Sequence, residues 1–115
     1  MTKWWTIYLA LLLVVISAIG TMAVENKGAA EIKLNGGKRG TITFPHHQHQ
    51  KTLGDCKICH KIFPQKKGSI DQLKESGQLT KKEVMNKLCI HCHKERKRSG
   101  QPSGPVTCTK CHKKE

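Results

Sequence analysis

Three short motifs contain every cysteine of the 115-residue chain, and each places a histidine directly after its second cysteine. They are Cys56-Lys57-Ile58-Cys59-His60, Cys89-Ile90-His91-Cys92-His93 and Cys108-Thr109-Lys110-Cys111-His112. Cys-x-x-Cys-His is the attachment pattern of c-type haem. Two thiols three positions apart on one helical turn can bond to the two vinyl groups on one edge of a porphyrin, and the next histidine can then reach the iron. The sequence therefore predicts three covalently bound haem groups, numbered first to third by their motifs.

Other uses of six cysteines fit this pattern less well. Disulfides within each pair would close very short loops, which constrain the unfolded chain little. Two cysteine pairs can form a tetrahedral zinc site, but a third pair would be left over. Thioredoxin-like chemistry needs one Cys-x-x-Cys near a βαβ pattern, which is absent. Disulfides and zinc would also leave the three following histidines unexplained.

The haem irons need ligands on both faces if each is six-coordinate. The histidine of each motif is the proximal ligand, and the remaining histidines are His46, His47, His49 and His91. His91 lies between two cysteines of the second motif, on the side of the turn that should face solvent. The only methionine after residue 23 is Met85. The candidates for the opposite, distal positions are therefore His46, His47, His49 and Met85.

The segment before the first motif makes a family resemblance specific. Phe44-Pro45-His46, followed by His49, closely resembles the three-haem cytochrome c7 group of the class III, cytochrome c3-like multihaem cytochromes. The resemblance extends over residues 31–114 and includes the three motifs and the Lys-rich C-terminus. It implies that His46 is the distal ligand opposite His60, and that His49 is the distal ligand opposite His93.

The third distal ligand departs from the family pattern. The family usually has a histidine four residues before the second motif, and this chain has Met85 there. We expect Met85 to ligate the third haem opposite His112, which gives two bis-His haems and one His/Met haem. The alternatives are that Met85 only packs, leaving that iron open, or that His47 ligates it. Otherwise His47 is expected to be exposed.

An apolar stretch from Trp4 to Ile19 follows Lys3 at the N-terminus. It is shorter than the roughly 18–20 residues that a spanning helix needs, and small residues follow it. We expect residues 1–23 to be a secretory signal peptide cleaved after Ala23, with an uncleaved inner-membrane anchor as the alternative. Residues 24–115 are then a single three-haem domain in the periplasm.

The net charge of +13 falls to +12 when Lys3 is removed with the leader. Six ionised haem propionates would lower it further, to about +6. Export and the scarcity of aromatic residues argue against nucleic-acid binding, because Phe44 and Phe63 are the only aromatics outside the leader. The remaining positive charge is suited to acidic redox partner proteins, although it could also serve only solubility.

The chain after the leader is poor in large apolar residues, so a large self-sufficient core is excluded. Alternation in Glu31–Leu34 and Thr41–Phe44 around Asn35-Gly36-Gly37 predicts a two-stranded hairpin. Pro45 can open a helix, Ser69 can cap one over residues 70–76, and Thr80 with Glu83 can cap a third toward residue 97. The expected fold is a small α+β one, with this hairpin and short helices wrapped around three haems.

These features favour an electron carrier over an enzyme, since an iron with two axial side chains has no open position for a substrate. The resemblance implies a monomeric shuttle between membrane quinol-linked oxidoreductases and outer-membrane or terminal acceptors. One alternative is a small multihaem reductase with an open third haem. Another is an electron-transfer subunit anchored in the membrane by its N-terminal helix.

Overall fold

The computed structural model describes residues 26–113, together with Trp4, which is exposed. The leader predicted over residues 1–23 otherwise lies outside the described residues, as does Lys114. Among the residues that are described, no helix is both long enough and apolar enough to cross a membrane.

The fold begins with an antiparallel hairpin of β1 (Glu31–Leu34) and β2 (Ile42–Pro45). Its register pairs Glu31 with Pro45 and Leu34 with Ile42. In β1 the apolar side chains are half-buried and the charged ones are exposed, which is the alternation that the sequence shows. A single 3₁₀ turn, Gly37–Arg39, lies in the connection. The predicted hairpin is confirmed.

Helix α1 (His46–Leu53) starts immediately after β2 and ends at Gly54. Pro45 occupies the position before the first helical residue, and Gly54 adopts the left-handed conformation, φ +67°, that glycine tolerates at a helix end. Because strand and helix adjoin directly, His46, His47 and His49 fall in the first turn of the helix. The expected helix at Pro45 is therefore confirmed.

The first motif forms α2 (Lys57–His60), and α3 (Ser69–Glu75) lies in the long connection to the second motif. Ser69 does not cap α3 as predicted, because Gly68 precedes the helix in the left-handed conformation and Ser69 is its first residue. The Ser69 hydroxyl instead donates to the Pro64 carbonyl oxygen at 3.0 Å.

The next helical segment starts at the predicted cap. The Thr80 N–H donates to a Glu83 carboxylate oxygen at 3.1 Å, which is the reciprocal half of a capping box. Lys87 Nζ donates to the other oxygen at 2.6 Å. These hydrogen bonds, foremost the one from Lys87, lower the pKa of the Glu83 carboxyl below its usual range.

A π-helical turn, Met85–Cys89, then leads into α4 (Ile90–Arg98). The Ile90 N–H donates to the Met85 carbonyl five residues earlier, instead of four. The extra residue rotates the helical residues before this turn by about 100° relative to a regular α-helix. The expected apolar face is nevertheless retained, because Asn86, Lys87 and His91 are exposed while the predicted face residues are all half-buried: Val84, Met85, Leu88, Cys89 and Cys92. The third motif forms α5 (Cys108–Cys111).

Very little protein is buried anywhere in residues 26–113. Ser69 and Leu79 are the only buried residues in that range, at 6% and 8% exposure, and no side chain there is fully buried. Chains of this size need another source of stability when side chains do not form a core. The predicted small α+β fold of one hairpin and short helices is confirmed.

Candidate haem sites

The structure brings four of the predicted ligand histidines together as two pairs. The ring centres of His46 and His60 are 6.3 Å apart, and those of His49 and His93 are 6.1 Å apart. A metal–imidazole bond is about 2.0–2.1 Å long. With the ring centre about 1.1 Å beyond the nitrogen, two imidazoles on opposite sides of one metal ion have centres about 6.2–6.4 Å apart. Both pairs match that separation closely.

The two pairs differ in the angle between their ring planes. His46 and His60 are almost perpendicular, at 88°, whereas His49 and His93 are inclined by 33°. His46 and His47 also have centres 6.2 Å apart, but they are neighbours on one helix. Ring separation alone therefore does not identify a ligand pair, and the ring nitrogens must be considered as well.

All four paired histidines use Nδ1 in the same way. Each Nδ1 lies within hydrogen-bond distance of a backbone carbonyl oxygen: His46 with Ala29 at 3.1 Å, His49 with Pro45 at 2.9 Å, His60 with Phe63 at 3.2 Å, and His93 with Pro105 at 2.7 Å. Because a carbonyl only accepts, each Nδ1 must carry the proton. Each neutral ring then has its lone pair on Nε2, as in metal-ligating histidines whose other ring nitrogen donates to a protein acceptor.

His47 has the opposite arrangement. Its Nε2 is 2.9 Å from the Gly28 carbonyl oxygen, so in the neutral ring Nε2 carries the proton and does not offer a lone pair. The side chain is half-buried, so the expectation that it is exposed is wrong. His91 is exposed, as expected from its place between two cysteines.

His112 differs from the other motif histidines. Its Nδ1 is buried and has no hydrogen-bond partner. The hairpin connection lies directly against it: a Cβ on Gly36 would be only 2.6 Å from His112 Nδ1. The next residue is tied to the same hairpin, because the Lys113 N–H donates to the Thr41 carbonyl oxygen at 3.3 Å.

Met85 is the first residue of the π-helical turn and is half-buried. The turn places it directly upstream of the second motif, while His112 follows α5 at the other end of the described chain. Its pairing with His112 remains a prediction.

No disulfide joins any of the six cysteines, which are exposed at Cys56 and Cys108 and half-buried at the other four. Burial, followed by the proximity of Cys59 and Cys111, raises the pKa of the Cys89 thiol to about 11. Burial also raises the pKa of Cys59, and Cys92 adds to that effect. Cys89 of the second motif is therefore close enough to Cys59 of the first and Cys111 of the third for their charges to influence its pKa.

A bare-metal centre has no counterpart in the described residues, where no group of three or more His, Cys, Asp or Glu side chains is arranged to hold an ion. The donor set instead comprises paired imidazoles and half-buried thiols beside them. This is the chemistry of haem c, which takes two axial ligands from the protein and two thioether bonds from cysteine. The residues present fit that group.

Several residues lie against the paired histidines in contacts that the sequence did not predict. The Phe44 ring centre is 4.3 Å from that of His49, and the Phe63 ring is 5.3 Å from His60 and nearly perpendicular to it. A Cβ on Gly104 would be 2.6 Å from His93 Nε2. The proximity of Phe44 and Phe63 to ligand histidines in sequence was an available indication. Gly104 lies in a Ser/Gly/Pro-rich segment, which gave none.

Comparison with known proteins agrees with this geometry. Residues 42–113 match the family model for cytochrome c7 and related cytochrome c. Cytochrome c7 of Geobacter metallireducens is 38% identical over 77 residues, which are 67% of this chain and 69% of that protein.

Solved structures are also similar. The triheme cytochrome PpcA of Geobacter sulfurreducens is 38% identical, with a TM-score of 0.53, and the match covers 75% of this chain and all of PpcA. PpcC, a cytochrome c7 from the same organism, is 33% identical with a TM-score of 0.54, covering 76% of this chain and all of PpcC. The resemblance inferred from Phe44-Pro45-His46 and the three motifs is thereby confirmed. The chain belongs to the family of cytochrome c7 and related cytochromes c, which are multihaem electron-transfer proteins.

Proposed function

We propose that residues 24–115 form a single exported domain that carries electrons through two bis-His haems and one His/Met haem. The thioether bonds are formed by Cys56, Cys59, Cys89, Cys92, Cys108 and Cys111. The axial pairs are His46 with His60, His49 with His93, and Met85 with His112.

The observation that carries this proposal is the geometry of the two histidine pairs. Both have the ring separation of imidazoles across one metal ion, and in all four rings a carbonyl accepts from Nδ1 and leaves Nε2 for the metal. A histidine packed as an ordinary polar side chain has no reason to repeat this arrangement four times. Hydrogen bonds of this kind, donated by the ring nitrogen that does not bind the metal, fix the tautomer and the orientation of metal-ligating histidines.

The third pair rests on the remaining candidates. His47 is a poor alternative, because its Nε2 is engaged by the Gly28 carbonyl. Met85 occupies the position of the family's third distal ligand, and it stands at a π-helical turn. Such turns occur frequently at functional sites.

The described residues act mainly by holding two side chains on each iron. Haem iron with two axial side chains supplies one-electron chemistry with little rearrangement when it is bound. The short helices fix the motif histidines, and α1 presents His46 and His49 from one rigid turn. With both axial positions filled, no position is open for a substrate, which favours a carrier over an enzyme.

Acidic redox proteins are the partners that the surface charge favours. Exposed cations near the second and third motifs are Lys94, Lys97, Lys110 and Lys113. Nearby Arg98 is paired with Glu95, so it contributes less to the field at long range. Positive patches of this kind steer weak, fast encounters. Transfer rates to an acidic partner should therefore fall as salt is raised, and salt-independent rates would contradict this role of the lysines.

The decisive experiment expresses the full chain in a host that exports it and attaches haem. An intact mass equal to residues 24–115 plus three haems is expected, and a mass that retains residues 1–23 would favour the anchored subunit. A mass with bare thiols or zinc would overturn the entire proposal.

Met85 is tested by the near-infrared sulfur-to-iron band of the ferric protein. The band should be present in the wild type, lost in Met85→His with all three haems low-spin, and unchanged in the matched control Val84→Ala. Its absence from the wild type, or its persistence in Met85→His, would refute ligation by Met85. A high-spin wild-type haem that binds carbon monoxide would favour the reductase with an open third haem.

A further inference from the structure

We infer that the three motif histidines donate unequally to their irons because their Nδ1–H groups have unequal acceptors. This inference rests on the proposed axial roles of His60, His93 and His112. It orders the reduction potentials with the second haem lowest, the first intermediate and the third highest, and it holds even when Met85 is replaced by histidine.

The second motif has the strongest acceptor. His93 Nδ1 is 2.7 Å from the Pro105 carbonyl oxygen, the shortest of the four such contacts. The loop that carries this carbonyl is anchored to α4, because the Gln101 N–H donates to the Arg96 carbonyl and Arg96 Nε donates to the Pro102 carbonyl, both at 2.9 Å. The acceptor is therefore held close to the ring.

The first motif has a weaker acceptor. His60 Nδ1 is 3.2 Å from the Phe63 carbonyl oxygen, at the upper limit for a good N–H···O bond. This carbonyl lies in the turn that follows α2, only three residues after the histidine. The bond exists, but it polarises the imidazole less than the one at His93.

The third motif has no acceptor. His112 Nδ1 is buried and unpaired, and the hairpin backbone at Gly36 lies against it so closely that a Cβ there would be 2.6 Å away. The bridge between Lys113 and Thr41 holds the two segments in this arrangement. Buried polar atoms without partners are rare in proteins and call for an explanation.

The physical link to potential is electron donation. A hydrogen bond from Nδ1–H shifts electron density toward Nε2 and raises the basicity of the ligand. A more basic ligand stabilises iron(III) more than iron(II), so it lowers the reduction potential. Hydrogen bonds to a metal ligand typically change metal affinity by about 10–100-fold. If the relative stability of iron(III) over iron(II) differs by about tenfold between the second and the third haem, their reduction potentials differ by about 59 mV.

The test uses the Met85→His holoprotein, in which all three haems have two histidine ligands. An NMR redox titration that resolves each haem should give midpoint potentials that rise in the order second, first, third. At any one solution potential, the ratio of reduced to oxidised iron should be about tenfold higher at the third haem than at the second. If all three haems stay low-spin and six-coordinate but the third is no longer highest, or the second is no longer lowest, the inference is wrong and the carrier proposal stands. A haem that lacks its motif histidine as ligand would instead refute the proposed ligation.

A second measurement needs no variant. In the fully reduced wild-type protein the irons are diamagnetic, and the Nδ1–H proton of each motif histidine can be assigned. Its chemical shift should lie furthest downfield for His93, next for His60 and least for His112. Equal shifts, or a His112 proton as far downfield as that of His93, would overturn the inference.

Discussion

Replacing Gly104 by alanine tests whether the loop after α4 positions the ligand of the second haem. The Gly104 backbone is outside the left-handed region, so alanine causes no strain of its own there. Its Cβ would, however, lie 2.6 Å from His93 Nε2 and 2.9 Å from Nδ1. The ring atom His93 Cε1 would be closer still, and ordinary contact begins at 3.4 Å, so the ring and the loop must separate by about 1 Å. That movement would stretch the 2.7 Å bond to the Pro105 carbonyl beyond the usual limit of about 3.2 Å.

Overpacking of this size costs about 1–3 kcal/mol of the free energy of unfolding. For a domain of about 90 residues, about 2 kcal/mol corresponds to a fall in Tm of roughly 8–16 °C. Thermal unfolding of the oxidised holoprotein, followed by circular dichroism and by Soret absorption, measures it. Exposed Ser103 is the matched control, since Ser103→Ala should change stability by less than about 0.5 kcal/mol. A Gly104→Ala protein that melts with the wild type would show that the loop does not constrain His93.

Two further predictions follow from the ligand geometry and from the scarcity of buried side chains. The ferric protein should give one highly anisotropic low-spin EPR signal from the perpendicular pair His46/His60 and one rhombic signal from the 33° pair His49/His93. The reason is that each imidazole plane raises the energy of one iron d orbital, so perpendicular planes leave two d orbitals nearly equal in energy. Identical signals from the two haems would contradict the ring orientations. The chain with all six cysteines changed to serine cannot attach haem and should be largely unfolded by circular dichroism, because only Ser69 and Leu79 are buried within residues 26–113. A cooperative thermal transition of that variant would show that the protein has a core of its own.

The sequence predicts the parts of this fold that depend on residue type and spacing. The alternation of polar and apolar residues predicted the hairpin, and Pro45 predicted the start of α1. Glu83, three residues after Thr80, predicted the start of the helical segment that leads into the second motif. The family resemblance supplied the pairing of the four histidines, and the structure brings those side chains together. The hairpin and the helix starts depend on local patterns, whereas the histidine pairs join distant parts of the chain and needed the family resemblance.

Other features depend on backbone groups and are invisible in residue types. The carbonyls of Ala29, Phe63 and Pro105 select the histidine tautomers, yet any residue has a carbonyl. His47 cannot be distinguished from His46 by type, and only the position of the Gly28 carbonyl separates them. The π-helical turn at Met85 likewise requires knowledge of how the helix packs on either side of it.

The distribution of buried residues explains why the longest connection contains α3. Segments that carry an attachment motif can cover a haem and so need no apolar partner from the protein. Residues 61–88 carry no motif, and this is where both Ser69 and Leu79 are buried. There the Ser69 hydroxyl bonds to the Pro64 carbonyl and the Leu79 N–H bonds to the Leu73 carbonyl, so the segment closes on itself. Residues 61–88 therefore make their few buried contacts within the segment itself, whereas the described segments that carry the motifs contain no buried residue and would be covered by haem.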